Sequence, residues 1–280
     1  MIRRFLYHFF WNFYDYLGTY LLLGVLAFAL LGGGLWLSLS LLSGGFALLG
    51  LVFAACCLSL LALILAAFSG FSARVANGEP ARWRHIWDSI RKNLKATTAL
   101  TGIWGIGLIV LAINLLFYRG FTNHPWKFAG TTSGILTVVL IYLAALWCIF
   151  VAVAWAAIGF EDAPTPIRTL FRRTLLYLAI VPSVWIFLFL GFGLTLILGM
   201  IFLPLLFIVL IVGLPLLSCA LATAVWLAKQ HIEFILQAKK ELGDTHPVSA
   251  YKRRAVELGW EWEYRQPRRT LREFFKPWEQ

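Results

Sequence analysis

The sequence predicts an all-α polytopic membrane helix bundle, with six transmembrane helices and amphipathic helices lying in the interface at its edge. Composition is the first reason: 13% of residues are charged and mean hydropathy is +0.81, whereas a soluble domain carries roughly a quarter charged residues. The second is a set of apolar runs of spanning length. The third is a one-sided distribution of positive charge around those runs.

A bilayer core of about 30 Å needs about 20 apolar residues per helix. Residues 20–42, 46–68, 96–118 and 132–157 each meet this without one Asp, Glu, Lys or Arg. From Thr174 to Leu227 the chain is again uncharged, long enough for two further helices of ordinary length. Six spans put residues 1–18, 69–95, 159–173 and the tail from Ala228 on one side. That side then holds all 13 acidic residues and every one of the 24 Lys and Arg except Arg119 and Lys127. The positive-inside tendency makes it the cytoplasm, with both termini there and a bacterial plasma (inner) membrane as the location. A seventh span would export the basic tail.

The chain accordingly divides into an aromatic interfacial helix at 1–18, a six-span domain at 19–228 and a basic, aromatic cytoplasmic tail at 229–280. The opening MIRRFLYHFFWNFYDYLG lacks the short apolar core and small-residue cleavage site of a secretory signal. Its Ile2, Phe5, Leu6, Phe9, Phe13 and Leu17 fall at helical spacing, with Arg3, Arg4, Asn12 and Asp15 off that face. This suits either a helix in the interface or an extension of the first span.

Two cytoplasmic returns carry concentrated charge. In RWRHIWDSIRKNL, residues 82–94, Trp83, Ile86, Trp87, Ile90 and Leu94 form an apolar, aromatic stripe, expected to lie along the headgroups with Arg84 and Ser89 off it. In FRRTL, residues 171–175, Arg172 and Arg173 mark the second. Pro80 and Pro166 sit where helices would begin, with Thr165 a candidate N-cap. IRKNL at 90–94 and FRRTL at 171–175 are 81 residues apart, which fits either a duplicated hairpin or simply two cytoplasmic returns that are both basic and amphipathic. Trp83, Trp87, Arg91, Lys92, Arg172 and Arg173, with Arg268 and Arg269 in the tail, are the candidate contacts to anionic lipid headgroups or to a partner. The tail's aromatic and basic residues suit a membrane surface better than nucleic acid, which is not expected as a partner.

Nothing in the pattern points to catalysis, a cofactor or a metal. The five histidines form no HExxH pair, and Cys56, Cys57, Cys148 and Cys219 lack zinc-site spacing and read as buried thiols. No ionisable residue falls at bilayer depth, where ion-coupled transporters keep them. Asn114, Thr137 and Thr195 are the polar groups a neutral solute could use, though hydrogen bonding to backbone or a neighbouring helix is their simpler role. GGG at 32–34, GFG at 191–193 and the seam Ala145, Cys148, Ala152, Ala156 suit close packing or local bending, and Pro182, Pro204 and Pro215 suit kinks.

The aromatic N-terminal helix, WRHIWDSIRKNLKATTAL at 83–100 and PTPIRTLFRRTLLYLAIVP at 164–182 together resemble the YesL-like bacterial integral membrane proteins, over about residues 1–235. The resemblance implies an inner-membrane protein whose relatives are often associated with carbohydrate uptake and degradation systems; the long tail departs from the shorter members. The expected function is a non-enzymatic accessory or scaffold protein serving a transporter or other membrane protein. The alternative is a permease or facilitator for a neutral solute.

Overall fold

A computed structural model describes residues 1–120, 130–161, 165–201, 203–243, 248–255 and 257. Among them the structure is helical throughout: α1 (Ile2–Asp15), α2 (Leu17–Ser43), α3 (Ala47–Ala76), α4 (Trp83–Gly120), α5 (Gly130–Ile158), α6 (Ile167–Ile180), α7 (Pro182–Ile201), α8 (Leu203–Leu242) and α9 (Val248–Ala255). Five stretches are long and apolar enough to cross a membrane, and α6 with α7 make a sixth if that bent pair counts as one span. The chain forms two compact units, Met1–Leu227 and Ala228–Gln280.

The first unit is built inside out by the standard of a soluble protein. Its interior is rich in small residues, Ala62, Ala66, Ala67, Ala73, Ala154, Ala222 and Ala224 among them, while Leu48, Ile106, Ile141, Leu190 and Ile201 are turned outward. In lipid an outward leucine costs nothing, so helices associate where small side chains let backbones approach and hydrogen bonds form. The exterior is that of a chain embedded in a membrane. Cys56 is on that exterior and Cys148 half-buried; only Cys57 and Cys219 are the buried thiols the sequence suggested.

Helix ends follow local rules. At the end of α2, Gly45 takes φ 86°, Phe46 N–H donates to Leu41 O (2.9 Å) and Gly45 N–H to Leu42 O (3.3 Å). A left-handed residue closes the last carbonyls, which is why glycine stands there. Gly78 ends α3 the same way, with Glu79 N–H on Arg74 O at 3.0 Å. Arg82 N–H donates to His85 Nδ1 (3.0 Å) just before α4, the role an acidic residue plays in a capping box. Thr165 does not cap α6: Pro166 stands at the cap without a side-chain bond, and the Thr165 hydroxyl donates to Glu161.

α2 and α3 run antiparallel, tied near their turn by Ser38 Oγ donating to Gly50 O (2.8 Å) and far from it by Tyr20 O–H donating to Ser72 Oγ (2.9 Å). The Ser72 and Ser218 hydroxyls bond each other at 2.9 Å, so one polar chain joins α2, α3 and α8. Where α2 meets α8, a Cβ at Gly24 would overlap the Ile211 carbonyl oxygen. Pro215, four residues on, has no N–H for that carbonyl. α8 nevertheless continues through Pro215 unbroken.

α3 packs on α4, α4 on α5 and α5 on α6. Adding the 81-residue offset to the bounds of α3 and α4 gives 128–157 and 164–201, against the observed 130–158 for α5 and 167–201 for α6 and α7 together. Burial follows the same register: Ser89 and Leu170, Asn93 and Thr174, Leu100 and Val181 are buried in both, while Arg91 and Arg172, Lys92 and Arg173 are exposed. The helix bounds and these three buried pairs match at the offset of the echo, while Thr97 and Leu178, and Thr101 and Pro182, differ in burial.

The second unit pairs the end of α8 with α9. Ala238, Tyr251 and Ala255 are buried together, the Tyr251 hydroxyl donates to Gly243 O (2.8 Å), and Arg254 pairs with Glu241 and Glu257. Gly243, at φ 81°, ends α8.

Candidate functional site

The basic return at 82–95 does not form a separate helix turned along a surface. It is the beginning of α4, unbroken for 38 residues, or roughly 57 Å at about 1.5 Å per residue. Its inward face is Ile86, Ser89, Asn93, Thr97 and Leu100, spaced at i, i+3, i+7, i+11 and i+14. Ser89 donates to Ala66 O (2.7 Å) and accepts from Asn93 Nδ2 (3.4 Å). Gly70 of α3 makes this possible, since a Cβ there would occupy the position of the Ser89 hydroxyl. The predicted apolar stripe is therefore split: Ile86 packs inward, whereas Trp83 and Trp87 are 48% and 66% exposed. Ser89, expected on the outer face, is on the inner one. Arg91 and Lys92 are exposed, so Trp83, Trp87, Arg91 and Lys92 make an aromatic, basic face at the start of α4.

In the second return, α6 meets α7 at 92°. Val181 leaves the helix at φ −125°, ψ 54°, Pro182 follows, and the Trp185 indole N–H donates to Tyr177 O (3.0 Å). Residues 174–180, which the sequence assigned to an apolar span, belong to α6. Arg172 and Arg173 are exposed on it, and Arg173 pairs with Glu161. Arg268 and Arg269 lie outside the described residues.

Polar groups within the spans are largely committed. Asn114 Nδ2 donates to Val110 O (2.7 Å), Thr195 to Gly191 O (2.8 Å), Thr101 to Thr97 O (2.8 Å) and Thr223 to Cys219 O (2.9 Å), each to the carbonyl one turn back. The small-residue seam on α5 is buried only at Ala156; Ala145 is exposed. Gly34 abuts Cys57, but Gly33, Gly191 and Gly193 face open space, so the glycine runs are not packing seams throughout.

α1, α7 and α8 enclose a cleft of about 340 Å³, lined by Phe5 and Phe9, Phe192 and Thr195, and Val212 and Leu216 among others. Its lining is apolar except for Thr195, already bonded within its helix. α1 reaches this place by burying Phe5 together with Arg4 and His8, while Ile2 and Leu6 are exposed. Arg4, expected off the packed face, is 8% exposed. The His8 ring meets the Trp226 ring edge-on at 4.7 Å. Burial pushes the His8 imidazole down to about 4, with the Arg4 charge adding to it, and burial pushes the Arg4 guanidinium down to about 10. Sequence pattern could not have found this cleft, because α1 closes it from the far end of the chain against the consecutive helices α7 and α8. Among the described residues no three His, Cys, Asp or Glu side chains gather as a metal set. No protein-family model, curated protein or solved structure matches the chain.

Proposed function

We propose that the protein is an accessory or scaffold protein of a bacterial inner membrane, with six spans and both termini in the cytoplasm, presenting a basic, aromatic cytoplasmic face to a membrane partner. The reading rests on one observation: polar side chains within the spans are spent on backbone and interhelix hydrogen bonds, and the large cleft between α1, α7 and α8 is apolar. A route for polar solute needs groups that replace water, since stripping water from a polar group without replacement costs several kcal/mol. In this reading α7, about 30 Å long, crosses the bilayer and α6 lies along its cytoplasmic surface. The outward Trp83 and Trp87 lie at headgroup level. The YesL-like resemblance makes a carbohydrate uptake system the partner to examine first.

Two measurements test this. With the native cysteines replaced, an impermeant thiol reagent added outside intact cells should label Ser43→Cys, the last residue of α2, and not Asn77→Cys, between α3 and α4. The opposite pattern refutes the orientation. Protein extracted in mild detergent should carry a stoichiometric transporter subunit, lost when Trp83 and Trp87 are both replaced by alanine. Recovery of the protein alone counts against a scaffold.

A further inference from the structure

α6 turns two unpaired arginines outward. Of its three arginines, Arg173 is held by Glu161, which also accepts from the Thr165 hydroxyl. The side chains of Arg168 and Arg172 have no ion pair or hydrogen bond among the described residues. Both are exposed and they stand four residues apart, so their guanidinium groups are neighbours on one face of the helix. That face continues into Leu175, Leu176 and Ala179, all exposed, with Leu175 at 59%. Leu170, Thr174 and Tyr177 are buried on the other side. The outward face of α6 is therefore cationic in its first half and apolar in its second, the end that meets α7. The matching stretch of α4, 81 residues earlier, is not built this way: Trp87 stands for Arg168, and Lys95 and Thr98 stand for Leu176 and Ala179. Free arginines beside uncovered leucines fit a ligand that is anionic at one end and apolar at the other.

We propose that Arg168 and Arg172 hold the phosphate of an anionic phospholipid of the surrounding leaflet, whose acyl chains cover Leu175, Leu176 and Ala179. This rests on the reading that α7 crosses the bilayer with α6 at its surface, and is independent of the accessory role. Two guanidinium forks present paired N–H donors to phosphate oxygens, which a point charge does not. The leucines gain little over ordinary lipid contact inside a bilayer, so they orient the chains while the arginines select the head. Each basic residue near a membrane surface favours anionic lipid by about fivefold.

The test uses the full chain in nanodiscs containing a trace of phospholipid with a photoreactive group near the carbonyl end of an acyl chain, as phosphatidylglycerol or as phosphatidylcholine. Phosphatidylglycerol should label residues 174–180 several-fold more than phosphatidylcholine does. Arg168→Gln with Arg172→Gln changes two exposed, unbonded side chains, so the variant is expected to fold, and it should abolish the preference. Lys240→Gln with Arg253→Gln removes the same charge from exposed positions in the second unit and should leave the preference in place. Labelling by neither lipid overturns the placement of α6 at the membrane, and the site with it. Equal labelling by both leaves α6 at the membrane and overturns the phosphate site. A preference that survives loss of Arg168 and Arg172, or falls as far in the Lys240 and Arg253 variant, overturns it too, the second outcome because overall charge would then be its cause.

Discussion

The first turns of α4 and the whole of α6 look alike in sequence and diverge in space. Both begin a few residues after a proline or at it, both put basic pairs outward at matching positions, and both bury the matching inner residues, Ser89 and Asn93 against Leu170 and Thr174. Yet α4 runs unbroken into its span while α6 turns 92° before α7. The difference sits at one aligned pair. Position 101 of α4 is Thr101, whose hydroxyl bonds Thr97 O inside a continuous helix; 81 residues on is Pro182. A proline has no N–H to donate one turn back and its ring presses on the preceding turn. A basic amphipathic segment before a span therefore does not fix its own orientation. Pro182 marks the junction where α6 departs from the span, although α8 passes through Pro215 unbroken, so a proline alone does not impose a bend.

The most damaging way to break the contrast is to move the proline. Thr101→Pro should cost about 3 kcal/mol or more, seen as a large fall in thermal midpoint in detergent or as loss of a monodisperse species. Wild-type behaviour would mean that the α4–α5 packing, not the helix ladder, holds α4 together. Next comes the inner face. Gly70→Val should cost about 1–3 kcal/mol by forcing Ser89 off Ala66, although valine is native at the counterpart position, Val151, buried in the second hairpin. Denaturation of the variant against wild type measures this, and tolerance would show that the two hairpins pack alike. The smallest effect is at the bend. Trp185→Phe removes the indole bond to Tyr177 O and should cost about 1 kcal/mol, with the α6–α7 angle kept by Pro182. A spin-label distance across residues 172 and 190 that lengthened in this variant would make the indole, not the proline, the source of the bend.

Much of the fold was legible in the sequence because the membrane imposes length and charge rules that act locally. The uncharged runs became helices and Pro182 fell at a break. What was not legible depended on partners distant in the chain. Ser89 faces inward because Gly70, on another helix, leaves room for its hydroxyl. Arg4 is buried because α1 turns that side to the bundle. Ile86 looked like part of a stripe facing the headgroups but packs inward, because helical spacing gives a face without saying what covers it. Residues 174–180 are as apolar as a span, so hydropathy merged them with α7; only the backbone break at Val181 separates them. Cys56 and Ala145 were read as packed because small residues pack well, yet in a bilayer the outside of a bundle accepts them equally.

The account stands or falls on transport, because the committed hydroxyls and the apolar cleft are its reason for preferring an accessory role to a permease. Purified protein reconstituted into liposomes should show no saturable uptake of labelled sugars or amino acids above empty vesicles. Saturable uptake of a sugar, lost on replacing Asn114, Thr137 or Thr195 by alanine or valine, would contradict the account and identify those groups as a solute path.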